Sequence, residues 1–122
     1  MNTLLDNITT VESLKNDVKK FIEEREWQQF HSPKNLSMGI VSEATELLDL
    51  FLWCDNNASY QQLEDKRKEV EDEIADLVYM ALAFCVRHNI DLSSAMNNKR
   101  SEAAQKYPIE KCKGKAVKYT VL

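Results

Sequence analysis

The sequence has 122 residues, 43% of them hydrophobic, and a formal net charge of -4 at pH 7. That length suits one domain with a core of its own, and the charge leaves no broad basic surface of the kind a general nucleic-acid binder needs. Two glycines and two prolines are too few for a fold built on many tight turns, so the chain predicts as all-α.

Three cysteines, Cys54, Cys85 and Cys112, stand far apart with no CxxC. Their number cannot close a set of disulfides, and Cys85, on an apolar helical face, is expected in the core. The opening MNTLLDNITTVESLKND is too polar for a signal peptide, and no apolar run approaches membrane-spanning length. The expectation is a soluble cytoplasmic protein with no membrane partner.

A first helix is predicted from Val11 to Gln28, capped by Thr10, with Leu14, Val18, Phe21 and Ile22 on its packing face. Pro33 suits the first turn of a second helix, expected to run to Cys54. Leu36, Ile40, Leu47, Leu50 and Phe51 supply its apolar surface. Asp55–Asn56–Asn57 reads as a stop and loop. A third helix is expected from Gln61 to His88, charged in its first half and carrying Val70, Ile74, Leu77, Val78, Ala81, Leu82 and Cys85 in its second. Asn89 reads as its stop. A fourth helix, capped by Asp91, is expected to reach Gln105, before Pro108. The stretch from Cys112 to Leu122 is basic and then apolar and predicts no element. Four helices with short connections make largely antiparallel neighbours. Phe51, Trp53, Met80 and Phe84 are hard to hide in so small a bundle, which points to a homo-oligomer with helices two and three in its interface.

Two acidic pairs stand out, Glu43 with Glu46 and Glu73 with Asp76. A spacing of three puts both carboxylates of a pair on one side of a helix. Two such pairs facing each other repel unless cations sit between them. This is the chemistry of a hard divalent metal, and Mg²⁺ is the usual partner of a phosphorylated substrate. Acidic pairs are also common on solvated helix surfaces, and an acidic helical module that meets a basic protein is the competing interpretation. Spacing alone does not choose between Glu73/Asp76 and Asp72/Asp76, and Asp49 can extend the strip. Trp27, Phe30 and Trp53 offer rings on which a planar base can stack, or they mark the ends of a core or an oligomer seam. His31 can hydrogen-bond a phosphate or a base, but it has no second His or Cys at zinc-ligand spacing. No glycine-rich phosphate loop occurs, so a P-loop mechanism is not expected.

The ordered set Trp27–Gln28–Gln29–Phe30–His31–x–Pro33–x–Asn35–Leu36, Ser42–Glu43–Ala44–Thr45–Glu46–Leu47, Leu50–Phe51–Leu52–Trp53, Glu71–Asp72–Glu73–Ile74–Ala75–Asp76–Leu77 and Lys106–Tyr107–Pro108 resembles the MazG-like nucleoside triphosphate pyrophosphohydrolases, in particular their small dCTP-pyrophosphatase-like branch. The resemblance covers residues 11–108, within residues 1–122 read as one domain. It implies that Glu43, Glu46, Glu73 and Asp76 are Mg²⁺ ligands and catalytic residues. It further implies that a (deoxy)nucleoside triphosphate, with dCTP favoured, is cut between its α and β phosphates. Trp27 and Trp53 then help to form the base pocket. Lys99 and Tyr107 match the basic and Tyr-Pro positions of the pattern; with His31 they are the further candidate substrate contacts, and Glu43 or Glu46 is our own choice for orienting the attacking water. The expected assembly is a tetramer built as a dimer of dimers, with no polymeric nucleic acid as partner. A dUTPase-like diphosphatase with a similar acidic cluster is the alternative enzyme. Two positions depart from the family pattern. Ser42 stands where many members carry a glutamate, and Ala103 where an asparagine is common.

Overall fold

The computed structural model describes residues 4–122. Its helices are α1 (Val11–Glu24), α2 (Pro33–Asp49), α3 (Asn56–Asp65), α4 (Arg67–Arg87), α5 (Leu92–Lys106) and α6 (Ile109–Cys112), with 3₁₀ turns at Trp27–Phe30 and Tyr119–Val121. No strand occurs among the described residues. No helix among them is long and apolar enough to cross a membrane. The chain divides into two compact units, one up to Ile90 and one from Asp91.

Side-chain caps set the helix starts where the sequence predicts them. Thr10 Oγ1 accepts from the Ser13 amide at 3.1 Å, and Ser32 Oγ accepts from the Asn35 amide at 3.1 Å, with Pro33 opening α2. Asp91 Oδ1 accepts from the Ser94 amide at 2.8 Å. Each cap satisfies a first-turn N–H that has no carbonyl partner within its helix. Beyond the end of α4, Asn89 takes a left-handed φ of 56°, a conformation that asparagine tolerates better than most residues.

The predicted helix ends differ in four places. The first helix stops at Glu24 rather than Gln28. Arg25 donates to the Phe21 carbonyl and lies 3.7 Å over the Phe21 ring, and Glu26 reverses the chain with φ 51°. The second stops at Asp49 rather than Cys54 because Leu50 and Phe51 close tighter turns on Leu47 and Leu48. Asp55–Asn56–Asn57 is not a loop: Asp55 caps α3, and Asn56 and Asn57 are its first turn. The expected third helix is two, broken at Lys66 (φ -115°, ψ 24°), which ends α3 and precedes α4. The stretch around the break is charged and has no apolar stripe to hold a straight rod against the core. The described residues therefore hold six α-helices rather than four.

In the first unit α4 is the central element, packed by α2 and by α1. Both neighbours run antiparallel to it. His88 Nε2, just past α4, donates to the carbonyl of His31, just before α2, at 3.0 Å. Lys15 in α1 reaches the Ile90 carbonyl at 2.9 Å. Val18, Ile22, Leu36, Val70, Leu82, Ala83 and Cys85 are buried and form the core. Gly39 lets α2 approach α4, since a Cβ there would overlap the Met80 methyl. Of the four aromatic or long side chains expected to resist burial, Phe51, Met80 and Phe84 are half-buried and Trp53 is exposed.

The second unit consists of α5, α6 and the final 3₁₀ turn. Gly114, with φ 76°, turns the chain after α6, a conformation that favours glycine. The Tyr119 ring then meets the Tyr107 ring edge-on with centroids 5.9 Å apart.

Candidate functional site

The antiparallel pairing of α2 and α4 brings the two acidic pairs together. Glu43 and Glu46 from α2 and Glu73 and Asp76 from α4 each offer one oxygen, and these four atoms lie within 4.8 Å of one another. Helical spacing explains the convergence: each pair projects from one side of its helix, and the two sides meet across the contact. The cluster is only partly buried. Glu43 and Glu73 are half-buried, while Glu46 and Asp76 are exposed.

The electrostatics are those of an unneutralised cluster. Glu43 Oε2 and Glu73 Oε2 are shut off from solvent without a hydrogen-bond partner. Close hydrogen-bonding contact with Glu46, then desolvation and the neighbouring carboxylate charges, push Glu73 up to about 7. Desolvation, then the charges of Glu46 and Asp76, raise Glu43 as well. The acids just before the cluster on α4 have cations of their own: Glu69 pairs with Lys66, Glu71 with Arg67, and Asp72 with Lys68. No lysine or arginine pairs with the four clustered carboxylates among the described residues. Asp72 is thus occupied by Lys68, and Glu73 joins Asp76 in the cluster.

The donor set fits a hard divalent cation. All four donors are carboxylate oxygens, the type preferred by Mg²⁺ and Ca²⁺. Opposite oxygens around such an ion lie about 4.2 Å apart for Mg²⁺ and up to about 5.2 Å for Ca²⁺, a span that matches the cluster. A bound cation would also satisfy the two orphaned oxygens and oppose the mutual repulsion that lifts Glu73 and Glu43.

The other predicted residues stand on other elements. Trp27 lies edge-on to Phe21 at 5.8 Å, and Phe21 in turn to Tyr79 at 5.7 Å. Trp53 lies beyond the end of α2 and is 93% exposed. His31 precedes α2 and lines a cavity with Lys19, Gln28, Arg87 and Asn89. Burial, then the charges of Arg87 and His88, lowers its pKa, which favours the neutral imidazole. Its Nδ1 and the neighbouring Gln28 Oε1 are buried without partners. In the second unit Lys99 is exposed and paired with Glu102 at 3.6 Å, and Ala103 is half-buried. Tyr107 follows α5.

Two polar residues near these positions were not singled out from sequence. The Tyr79 hydroxyl is buried without a partner, and burial raises its pKa. Its place three residues past Asp76, on the same side of α4, was the available signal. Asn35, quoted only as part of a motif, donates to the Phe30 carbonyl at 2.9 Å and pins the Trp27–Phe30 turn to α2.

An all-α fold carrying a cluster of four carboxylates on two antiparallel helices defines the class of protein. Residues 38–122 match the MazG-like family. Over 115 residues the chain is 35% identical to dCTP pyrophosphatase 1 of Rattus norvegicus, covering 93% of this chain and 68% of that protein. It is 31% identical to dCTP pyrophosphatase 1 of Homo sapiens with the same coverage of each chain. A crystal structure of a pyrophosphatase from Archaeoglobus fulgidus DSM 4304 superposes with a TM-score of 0.77 at 31% identity, covering 88% of this chain and 98% of that one. The chain belongs to the MazG-like family.

Proposed function

We propose that the protein hydrolyses (deoxy)nucleoside triphosphates between the α and β phosphates, releasing a nucleoside monophosphate and pyrophosphate, with Mg²⁺ as cofactor. The observation that carries this proposal is the convergence of four carboxylate oxygens within 4.8 Å, in a chain 31–35% identical to proteins named dCTP pyrophosphatase 1. dCTP or a related deoxynucleotide is the favoured substrate.

Glu43, Glu46, Glu73 and Asp76 would hold the cation, which when bound supplies positive charge against the triphosphate and the developing charge of the transition state. Glu43 or Glu46 orients the attacking water by accepting its hydrogen. Trp27, His31 and Trp53 contact the base. A neutral His31 serves as hydrogen-bond donor and acceptor rather than as a charge. Lys99 steadies the outer phosphates as a point charge, and Tyr107 donates its hydroxyl hydrogen to them.

We propose further that the whole chain acts as one domain in a cytoplasmic homo-oligomer, a tetramer built as a dimer of dimers around the MazG-like helices. His31 and Trp53 flank α2, whose 17 residues rise about 25 Å. A single base is far shorter, so the two side chains of one copy do not share one base. Two copies can supply them to the same pocket. The exposed apolar side chains Met38, Val41, Leu48, Leu52 and Ile74 on α2, its C-terminal turns and α4 fit the same arrangement. Sedimentation at micromolar concentration should show an assembly larger than a monomer, and a monomer alone would reject it.

The catalytic proposal is tested with a panel of nucleoside di- and triphosphates, assayed for pyrophosphate with Mg²⁺ and with EDTA. Pyrophosphate should appear only from triphosphates and only with the metal. Release of orthophosphate, or turnover unaffected by EDTA, would overturn the proposal.

A further inference from the structure

We propose that the segment Lys113–Leu122 is a latch that fixes the Tyr107 hydroxyl and gathers Lys106 beside it, making Tyr119 a positioning residue for the phosphates of the nucleotide. This inference rests on the proposed phosphate role of Tyr107 and adds to it a segment that the function has so far left unused.

Three contacts within the second unit build the latch. The Tyr119 amide donates to the Tyr107 hydroxyl oxygen at 3.3 Å. The two rings meet edge-on at 5.9 Å and 83°, an arrangement that restricts both. Lys106 Nζ lies 4.9 Å from the centre of the Tyr119 ring, close enough for a cation–π attraction. The turn that returns the chain to Tyr107 depends on Gly114 with φ 76° and is closed by the Lys115 amide donating to the Cys112 carbonyl at 2.9 Å.

The chemistry follows from the inventory of a phenol. Its oxygen carries one donor hydrogen and two acceptor positions. The Tyr119 amide occupies an acceptor position, so the hydroxyl hydrogen points elsewhere and remains free to donate. An anion is the partner that uses such a hydrogen best. Charge supports the same ligand. From Lys106 to Lys118 the sequence has five lysines against the single acid Glu110, in a chain whose net charge is -4. A basic segment anchored on a donor-ready phenol suits the outer phosphates of a triphosphate.

The test compares wild type, Tyr119→Ala, Tyr119→Phe, Tyr107→Phe and the double variant Tyr107→Phe/Tyr119→Ala. Steady-state hydrolysis of dCTP is paired with calorimetric binding of its non-hydrolysable α,β-imido analogue. Tyr119→Ala should raise KM and the analogue Kd about three- to tenfold, the value of one ordinary hydrogen bond, with little change in kcat. The main-chain amide is present in every variant; Tyr119→Phe also keeps the ring that holds it against Tyr107 and should restore wild-type values. The double variant should lose less than the sum of the two single losses, because the latch acts in part through Tyr107 and otherwise only through Lys106. A Tyr119→Ala protein with unchanged KM and Kd, or a double variant whose losses add, would overturn the latch while leaving the hydrolase proposal standing. Failure of wild type to bind the analogue or hydrolyse any triphosphate would overturn both.

Discussion

Glu73 should titrate near neutrality when no divalent ion is present, and replacing it with Gln should abolish that titration. Its carboxyl is pushed from 4.5 to about 7 by contact with Glu46, by desolvation and by the charges of Glu46, Asp76 and Glu43. With that midpoint, about one-tenth of the molecules carry the charge at roughly pH 6 and about nine-tenths at roughly pH 8. The folded chain holds the proton more tightly than the unfolded chain. The stabilising contribution is therefore complete below about 4.5, falls as pH rises toward about 7, and is lost above it. Glu43, also raised, acts in the same direction. Mg²⁺ competes with the proton, so its addition should lower the Glu73 midpoint and recover stability at neutral pH. Carboxyl-carbon NMR titration of wild type and Glu73→Gln, with and without Mg²⁺, reads the midpoint, and denaturant unfolding across the same pH range reads the stability. A Glu73 midpoint at the ordinary value without metal, or one indifferent to Mg²⁺, would refute the reasoning.

Leu36→Ala should cost about 2–5 kcal/mol in denaturant unfolding, because Leu36 is 1% exposed at the junction of α2 with the core; a loss under about 1 kcal/mol would mean that the site collapses freely. Gly39→Ala should be nearly neutral: the added Cβ meets only the far end of the unbranched Met80 side chain, which can change rotamer, and the gain of about 1 kcal/mol in helix propensity offsets the adjustment. A loss above about 2 kcal/mol would show that Met80 cannot move aside. Trp53→Ala should raise the KM for dCTP about tenfold, the scale of one base–aromatic stack, and unchanged KM across bases would remove Trp53 from the pocket.

Much of the fold was legible because its signals are local. Thr10, Ser32–Pro33 and Asp91 start helices through their own side chains, and the spacing of Val18 with Ile22 marks a packing face. The break at Lys66 was not legible, since the lysine, arginine and glutamate residues around it favour helix and no Gly or Pro marks the fracture. The end of α1 was hidden for a different reason: it depends on Arg25 and Trp27 folding back onto Phe21, contacts that no periodicity encodes. In the site, i,i+3 spacing exposed both acidic pairs, but not whether Asp72 or Glu73 joined Asp76. That choice depends on which side of α4 meets α2, and Glu73 with Asp76 lies there. The exposure of Trp53, its distance from His31 along α2 and the return of Tyr119 to Tyr107 are likewise properties of the folded chain.

The central claim is that Glu43, Glu46, Glu73 and Asp76 act together as one divalent-cation site. Calorimetric titration of Mg²⁺ into wild type, Glu43→Gln, Glu46→Gln, Glu73→Gln, Asp76→Asn and the neighbouring Asp72→Asn tests it most directly. Wild type and Asp72→Asn should bind alike, and each of the other four should bind more weakly. Absence of binding to wild type, or an Asp72→Asn loss as large as that of Glu73→Gln, would contradict the claim.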